Sequence, residues 1–164
     1  MIETRIGNVL DIHEGIIVHG CNCHGVMGAG IAWQIKNRFP EAYKVYRENH
    51  ESHKHNVVPF GFSGLKLGEI THVEVAPFKI IVNANTQFDM GSDKRYVDYE
   101  AIAKCFEHVK QLAQTVASDN SGRKLDICFP LIGAGLAGGN WNIISTIIDE
   151  TIGDDFNKIL YKFQ

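Results

Sequence analysis

The chain has 164 residues, of which 45% are hydrophobic and 21% charged, a composition typical of one globular domain rather than a disordered chain. Its 16 basic and 19 acidic side chains give a formal net charge of −3, which argues against a protein that holds DNA through a basic face. The sequence contains neither an apolar run long enough for a membrane span nor a signal-peptide pattern. We therefore expect a cytoplasmic monomer with no membrane or DNA partner.

Hydrophobic patterns in the first half of the chain alternate between strands and helices. Ile2–Ile6 and Ile16–His19 are predicted strands, the second being a short apolar run typical of a strand buried on both faces of a sheet. A glycine-rich turn follows, and helices are predicted over Ala29–Arg38 and from Pro40 to about Asn49. No regular pattern covers His50–Leu67, which we interpret as a surface excursion.

The second half begins with a predicted hairpin, whose strands are Ile70–Val75 and Phe78–Ala84. The remaining predicted elements are, in chain order, a long helix capped by Asp98, a strand over Leu125–Pro130, a helix capped by Asn140 and ended by Gly153, and a last strand over Lys158–Phe163. Strands that alternate with helices indicate a layered α/β domain with a partly parallel sheet.

Cysteine chemistry is not indicated by the four cysteines of the chain. They are predicted to be free thiols, because a chain of this size folds without disulfides. The sequence Cys21-Asn22-Cys23-His24 is spaced more tightly than the usual zinc-binding pair, and no second pair of ligands accompanies it. We expect no metal and no other cofactor.

Two glycine-rich loops follow predicted strands and precede predicted helices. They are Gly25–Gly30 and Pro130–Gly139. Glycine lets backbone amides approach an anion, because it has no Cβ to hold them away, and ligands of open α/β sheets bind beyond the carboxyl ends of the strands. One such loop alone would be as consistent with a tight connection between a strand and a helix as with a phosphate-binding loop. Two of them favour a clamp for one diphosphate.

Polar residues between the second strand and the first glycine loop are the candidates for chemistry. His19 carries a side chain that exchanges protons near neutral pH, and the amide of Asn22 is able to hold a sugar hydroxyl. We predict these two as the catalytic residues. Two alternatives stay open: His19 is a hydrogen-bonded structural histidine, or His24 transfers the proton in its place. Cys21 and Cys23 are predicted to be packing residues.

These motifs resemble those of the macrodomains, which bind ADP-ribose. The resemblance spans nearly the whole chain and is carried by Arg5–Leu10, Ile17–Ala32, Phe39-Pro40, Pro130–Leu136 and Trp141. The string from His19 to Gly25 is most similar to that of the yeast-type ADP-ribose 1″-phosphate phosphatases. The resemblance implies a single three-layer α/β/α macrodomain over residues 1–164, with a mixed sheet of about six strands. It also implies an enzyme that hydrolyses the 1″-phosphate to give ADP-ribose and inorganic phosphate.

The resemblance further implies how a ligand lies in the site. Asn22 would hold the distal ribose, the two glycine loops would enclose the diphosphate, and Tyr161 would stack beside the adenine. Asn8 stands where the family often has an aspartate for the adenine amino group, which weakens the expected base specificity. The ligand-binding residues that follow are Asn8, Val9, Gly25, Met27, Gly28, Ala29, Gly30, Ile31, Gly133, Ala134, Gly135, Leu136, Ala137, Gly138 and Tyr161.

Related glycohydrolases carry a catalytic lysine after the central hairpin and an aspartate after the second glycine loop. The matching stretches here, Asn83–Gln87 and Gly135–Gly138, contain neither residue, so covalent lysine chemistry is not expected. Two alternatives to the phosphatase remain open. One is a binding module without chemistry, and the other is a hydrolase that removes ADP-ribose from modified proteins.

Overall fold

A computed structural model of the chain describes residues 1–53, 66–91, 93–135 and 137–163. The strands in these residues are β1 (Glu3–Ile6), β2 (Gly15–Cys21), β3 (Ile70–Ala76), β4 (Lys79–Asn85), β5 (Ile127–Phe129) and β6 (Lys158–Lys162). The helices are α1 (Gly30–Arg38), α2 (Pro40–His53), α3 (Tyr99–Asp119) and α4 (Trp141–Ile152). Most of the predicted excursion lies outside the described residues.

The six strands of the described residues form one sheet, in the order β1-β6-β5-β2-β4-β3. Neighbouring strands run parallel except β3 and β4, which form the predicted antiparallel hairpin. The mixed six-stranded sheet expected from the resemblance is therefore confirmed. Because β6, β5, β2 and β4 are mutually parallel neighbours, the segments that follow them meet at one edge of the sheet.

Helices cover both faces of the sheet, so the central strand β2 is buried on each side. Ile16 and Val18 pack with buried residues of α3 and α4, whereas Ile17 packs with residues of α1 and α2. This alternation follows from the period of two residues in a strand. The same alternation places successive side chains at the end of β2 on opposite faces of the sheet.

The predicted caps fix two of the helices. Asp98 Oδ1 accepts a hydrogen bond from the Ala101 amide at 2.9 Å, and Asn140 Oδ1 accepts one from the Asn142 amide at 2.9 Å. Gly153 ends α4 with a φ of +71°, a conformation that favours glycine. Among the helices described, none is long and apolar enough to span a bilayer.

Candidate active site

A cleft of about 930 Å³ runs along the carboxyl edge of the sheet. Its walls come from the residues that follow β2, β4, β5 and β6, so in sheet order it extends from the end of β6, across the two glycine loops, to the end of β4. Tyr161 and Phe163 lie at the β6 end, and Gln87, Met90 and Gly91 lie at the β4 end. The cleft therefore has an aromatic end, a glycine-rich middle and a far end that carries the amide side chain of Gln87 beside Met90.

Asn22 organises the first glycine loop. It lines the cleft, and its Oδ1 accepts hydrogen bonds from the backbone amides of His24 at 2.9 Å and Val26 at 3.4 Å. Its Nδ2 donates to the Val26 carbonyl at 2.8 Å, and the Tyr46 hydroxyl donates to the Asn22 carbonyl at 2.6 Å. The amide that the sequence assigns to a sugar hydroxyl therefore also holds the loop in shape.

The predicted residues of the first loop divide into two groups. Those that line the cleft are Gly28, Ala29, Gly30 and Ile31. Gly25 and Met27 instead face the interior and do not line the cleft. A Cβ on Gly25 would lie 2.7 Å from Arg47 Nη1, and Met27 is 1% exposed and packs with buried residues, among them Tyr46. These two residues shape the loop from below.

The second loop shows the same division. Gly133, Gly135 and Ala137 line the cleft, and Ala137 is fixed by the Tyr96 amide, which donates to its carbonyl at 2.7 Å. Gly138 faces the segment beside it, since a Cβ there would lie 3.0 Å from the Lys94 carbonyl oxygen. Neither Gly138 nor Ala134 is among the residues that line the cleft, so their contact with a ligand stays a prediction. Leu136 lies outside the described residues.

Of the two residues predicted for the adenine, Asn8 and Tyr161, the structure places one at the cleft. Tyr161 lines the aromatic end, with its hydroxyl 3.4 Å from Arg5 Nη1. Asn8 instead caps the short 3₁₀ turn Val9–Asp11, where its Oδ1 accepts from the Leu10 amide at 3.0 Å. Val9 is 2% exposed and belongs to the core. The sequence did not predict this turn, and neither Asn8 nor Val9 lines the cleft.

His19 lies beneath the cleft rather than in it. Its side chain has no exposed surface, and its Nε2 is 2.6 Å from Asn83 Oδ1 on the neighbouring strand β4. Burial lowers the pKa of His19 to about 4, although the hydrogen bond to Asn83 opposes that shift. A neutral, enclosed imidazole does not contact a ligand in this arrangement. This geometry favours the structural alternative for His19, and its direct proton transfer stays a prediction.

The cysteines are free thiols, as the sequence predicts, and all four are buried. Burial raises the pKa of Cys21 well above its ordinary value and that of Cys23 to about 12. Both thiols therefore stay protonated, which makes them poor nucleophiles. Within the described ranges, no group of three or more His, Cys, Asp or Glu side chains is arranged to hold a metal ion.

A histidine and an aspartate that the sequence did not connect are in contact, on the loops that follow β2 and β4. His24 Nε2 lies 2.7 Å from Asp89 Oδ1, and 37% of the His24 side chain and 64% of the Asp89 side chain are exposed. Further cleft residues that sequence reasoning missed lie after β4 and at the end of β6, namely Gln87, Met90, Gly91, Lys162 and Phe163. Their position after parallel strands is the signal that pointed to the two glycine loops, and it applies equally to these segments.

The Macro domain family model matches residues 18–148. The chain belongs to the macrodomain family. An uncharacterized 17.5 kDa protein of Enterobacteria phage T4 is 31% identical over 81% of this macrodomain and 77% of the relative. The ADP-ribose 1″-phosphate phosphatase of Saccharomyces cerevisiae is 25% identical over 90% of the chain and 91% of the relative. A shorter match, 42% identical over 48 residues, covers 29% of the chain and 14% of a DNA ADP-ribosyl glycohydrolase from Mycobacterium bovis.

Solved structures share the fold of this macrodomain. The macrodomain of Thermus aquaticus DarG superposes with a TM-score of 0.76 at 23% identity, over 99% of this chain and 98% of that one. A macrodomain protein from Streptomyces coelicolor gives a TM-score of 0.73 at 24% identity, over 99% of both chains. At these identities the likeness establishes the architecture.

Proposed function

We propose that this macrodomain binds ADP-ribose derivatives in the cleft and hydrolyses ADP-ribose 1″-phosphate to ADP-ribose and inorganic phosphate. The observation that carries the proposal is the order of chemistry along the cleft. An aromatic end, a glycine-rich middle and a far end with the amide side chains of Asn22 and Gln87 match, in the same order, a base, a diphosphate and a distal ribose. The similarity to the yeast phosphatase over most of both chains supports the same substrate.

Two glycines have the geometry that a diphosphate site needs. A Cβ on Gly135 would meet nothing within 4 Å, and one on Gly28 would meet only Val26 at 3.5 Å. Both positions therefore face open space rather than packed protein. Without a side chain there, the backbone of both loops is accessible to phosphate oxygens from opposite sides.

Phosphoryl transfer makes modest demands on such a site. The transition state requires positioning of the phosphoryl group and stabilisation of its charge, which backbone amides supply. Binding of the adenosine and diphosphate at the aromatic end and the middle would hold the 1″-phosphate at the β4 end. The proposed reaction thus takes place near Asn22 and Gln87.

Two measurements on the purified protein test the proposal. Calorimetric titration with ADP-ribose is expected to show one site, and incubation with ADP-ribose 1″-phosphate is expected to release phosphate above a no-enzyme control. Excess chelator is expected to leave the rate unchanged, since the proposed catalysis relies on amides and no metal. Binding without phosphate release would leave a binding module in place of the phosphatase, and no binding would contradict both.

The match to the glycohydrolase favours a second candidate function, the removal of ADP-ribose from modified macromolecules. This candidate predicts release of ADP-ribose, rather than of phosphate, from an ADP-ribosylated substrate. Incubation with ADP-ribosylated DNA and, separately, with ADP-ribosylated protein therefore distinguishes the two functions by product. Faster turnover of either macromolecule than of ADP-ribose 1″-phosphate would make the second candidate the main activity.

A further inference from the structure

Two amide side chains lie at the β4 end of the cleft, and they differ in what they offer a ligand. Asn22 follows β2 and Gln87 follows β4, and both residues line the cleft. A carboxamide has one oxygen that accepts hydrogen bonds and one NH₂ group that donates two. The bonds that each amide already makes within the protein therefore decide which of its atoms is left for a ligand.

The oxygen of Asn22 is occupied by the protein. Besides the amides of His24 and Val26, Asn22 Oδ1 accepts a hydrogen bond from the Tyr46 hydroxyl at 3.0 Å. A carbonyl oxygen has two lone pairs, so three donors leave none of them for a ligand. One hydrogen of Nδ2 is given to the Val26 carbonyl, and the second remains. Asn22 thus offers a ligand a donor but no acceptor.

The side chain of Gln87 is oriented by a backbone carbonyl. Its Nε2 donates to the Asp89 carbonyl at 2.8 Å, and among the described residues no donor bonds to its Oε1. The reversed amide would set two acceptors against each other, so this bond fixes Nε2 as the atom that faces Asp89. Oε1 is therefore the side-chain acceptor that Gln87 offers at the β4 end of the cleft.

The backbone of Gln87 is held between the end of β2 and the second glycine loop. Its amide donates to the Cys21 carbonyl at 3.4 Å, and it forms an isolated antiparallel bridge with Val97. The Val97 amide in turn donates to the carbonyl of Ala137, in the second glycine loop, at 3.3 Å. An acceptor held in this way loses little conformational freedom when a ligand binds.

We propose that Gln87 selects ligands that carry a distal ribose, by accepting a hydrogen bond from a ribose hydroxyl; this inference rests on the binding part of the proposed function. The order of base, diphosphate and distal ribose along the cleft brings the ribose to the β4 end, where a hydroxyl donor matches Oε1. ADP has the base and the diphosphate but no distal ribose. The contribution of Gln87 is therefore made to the affinity for ADP-ribose and not to the affinity for ADP. Asn22 acts on both ligands, because it shapes the loop beside the diphosphate.

The test compares Gln87→Met with wild type by calorimetric titration of ADP-ribose and, separately, of ADP. Methionine has a similar length and no amide. Gln111→Met is the matched control, because Gln111 is exposed on α3 and does not line the cleft. We expect the Kd of Gln87→Met for ADP-ribose to rise about fivefold to tenfold, the usual contribution of one neutral hydrogen bond, and its Kd for ADP to change less than about twofold. Asn22→Ala is expected to raise both constants by similar factors.

The comparison of the two ligands separates a contact with the ribose from a structural role. If folded Gln87→Met loses affinity for ADP and ADP-ribose equally, or loses none, the inference is wrong and the proposed function stands. A loss confined to ADP-ribose in Asn22→Ala, with none in Gln87→Met, would assign the distal ribose to Asn22. Thermal unfolding shows whether each variant is folded, and Gln87→Ala takes the place of Gln87→Met if methionine does not fit. A wild type that does not bind ADP-ribose contradicts the proposed function itself.

Discussion

His19 and His24 are five residues apart, yet they lie in opposite environments. His19 has no exposed surface and bonds to an amide on the next strand, whereas 37% of the His24 side chain is exposed and its partner is a carboxylate. The first environment favours a neutral imidazole, and the second leaves the imidazole accessible to solvent. Within one short motif, the end of β2 thus supplies the floor of the cleft and the loop after it supplies the rim.

The change of environment has a simple origin. Inside β2, hydrogen bonds to β4 and β5 fix the backbone, and each side chain points into one of the two helical layers. After Cys21 the chain leaves the sheet, and the Asn22 amide turns it outward by binding the amides of His24 and Val26. Both residues are histidines, so residue type does not explain the difference in exposure. Their position relative to the end of β2 does.

The largest expected effect is a dependence of the free energy of unfolding on pH, which arises from the burial of His19. A His19 pKa lowered from 6.5 to about 4 means that the unfolded chain binds a proton on His19 before the folded protein does. The free energy of unfolding should therefore fall by about 3 kcal/mol as the pH drops from 6.5 to 4, and be fully retained above 6.5. Denaturant unfolding at several pH values measures this fall.

His19→Gln is the matched variant for that experiment. Glutamine still donates to Asn83 but does not titrate, so its stability should depend less steeply on pH between 6.5 and 4. Burial also lowers the pKa of His50 and His72, and these residues remain in both proteins, so the difference between the two profiles isolates His19. Identical profiles would mean that His19 titrates normally and is not enclosed.

Substitution of Gly28 tests whether the first glycine loop binds the ligand, without disturbing the buried residues of β2. Gly28→Val should weaken ADP-ribose binding at least about 100-fold, equivalent to about 2.7 kcal/mol, because branched carbons would fill the space in which the phosphate lies. The fold should survive, since a Cβ at this position meets only Val26 at 3.5 Å. Calorimetry and thermal unfolding measure the two properties, and unchanged affinity in folded Gly28→Val would contradict the two-loop clamp.

Gly133→Ala is the opposite case and serves as the comparison. Gly133 has a φ of +71°, and a Cβ there would lie 2.7 Å from Val97. The substitution should therefore destabilise the fold by about 1–3 kcal/mol. A lower melting temperature for Gly133→Ala but not for Gly28→Val would separate a glycine required by the backbone from one required by the ligand.

Asn22 connects floor and rim, so its removal should affect both binding and turnover. Asn22→Ala takes away the acceptor for the His24 and Val26 amides, and a lost hydrogen bond of this kind costs about 1–3 kcal/mol. We expect weaker ADP-ribose binding together with a lower kcat, measured by calorimetry and phosphate release. Tyr46→Phe loses the hydroxyl that donates to the Asn22 carbonyl at 2.6 Å and to Asn22 Oδ1 at 3.0 Å, but it keeps the Asn22 side chain that binds the His24 and Val26 amides, so it should have the smaller effect. The reverse order would show that the side chain of Asn22 does not hold the loop.

Much of this architecture could be predicted because its signals are local. The caps at Asp98 and Asn140 and the end of α4 at Gly153 each depend on a few neighbouring residues, and all three predictions are confirmed. The glycine loops were found because they follow strands. The site was predicted less well, because contact with the cleft depends on distant partners: Asn8 caps a local turn, and Asp89 reaches His24 only because β4 pairs with β2.

The smallest expected effect concerns the aromatic end of the cleft, which is separate from the end of β2 and from the glycine loops. Tyr161→Ala should weaken ADP-ribose binding about tenfold, in line with the 1–3 kcal/mol typical of stacking between a base and an aromatic ring. Tyr161→Phe keeps the ring and loses only a 3.4 Å contact with the exposed Arg5, so its affinity should be close to that of wild type. Turnover at saturating substrate should be unaffected in both variants, because the reacting phosphate lies at the other end. If Tyr161→Ala lowered kcat rather than affinity, the proposed order of base, diphosphate and distal ribose along the cleft would have to be reversed.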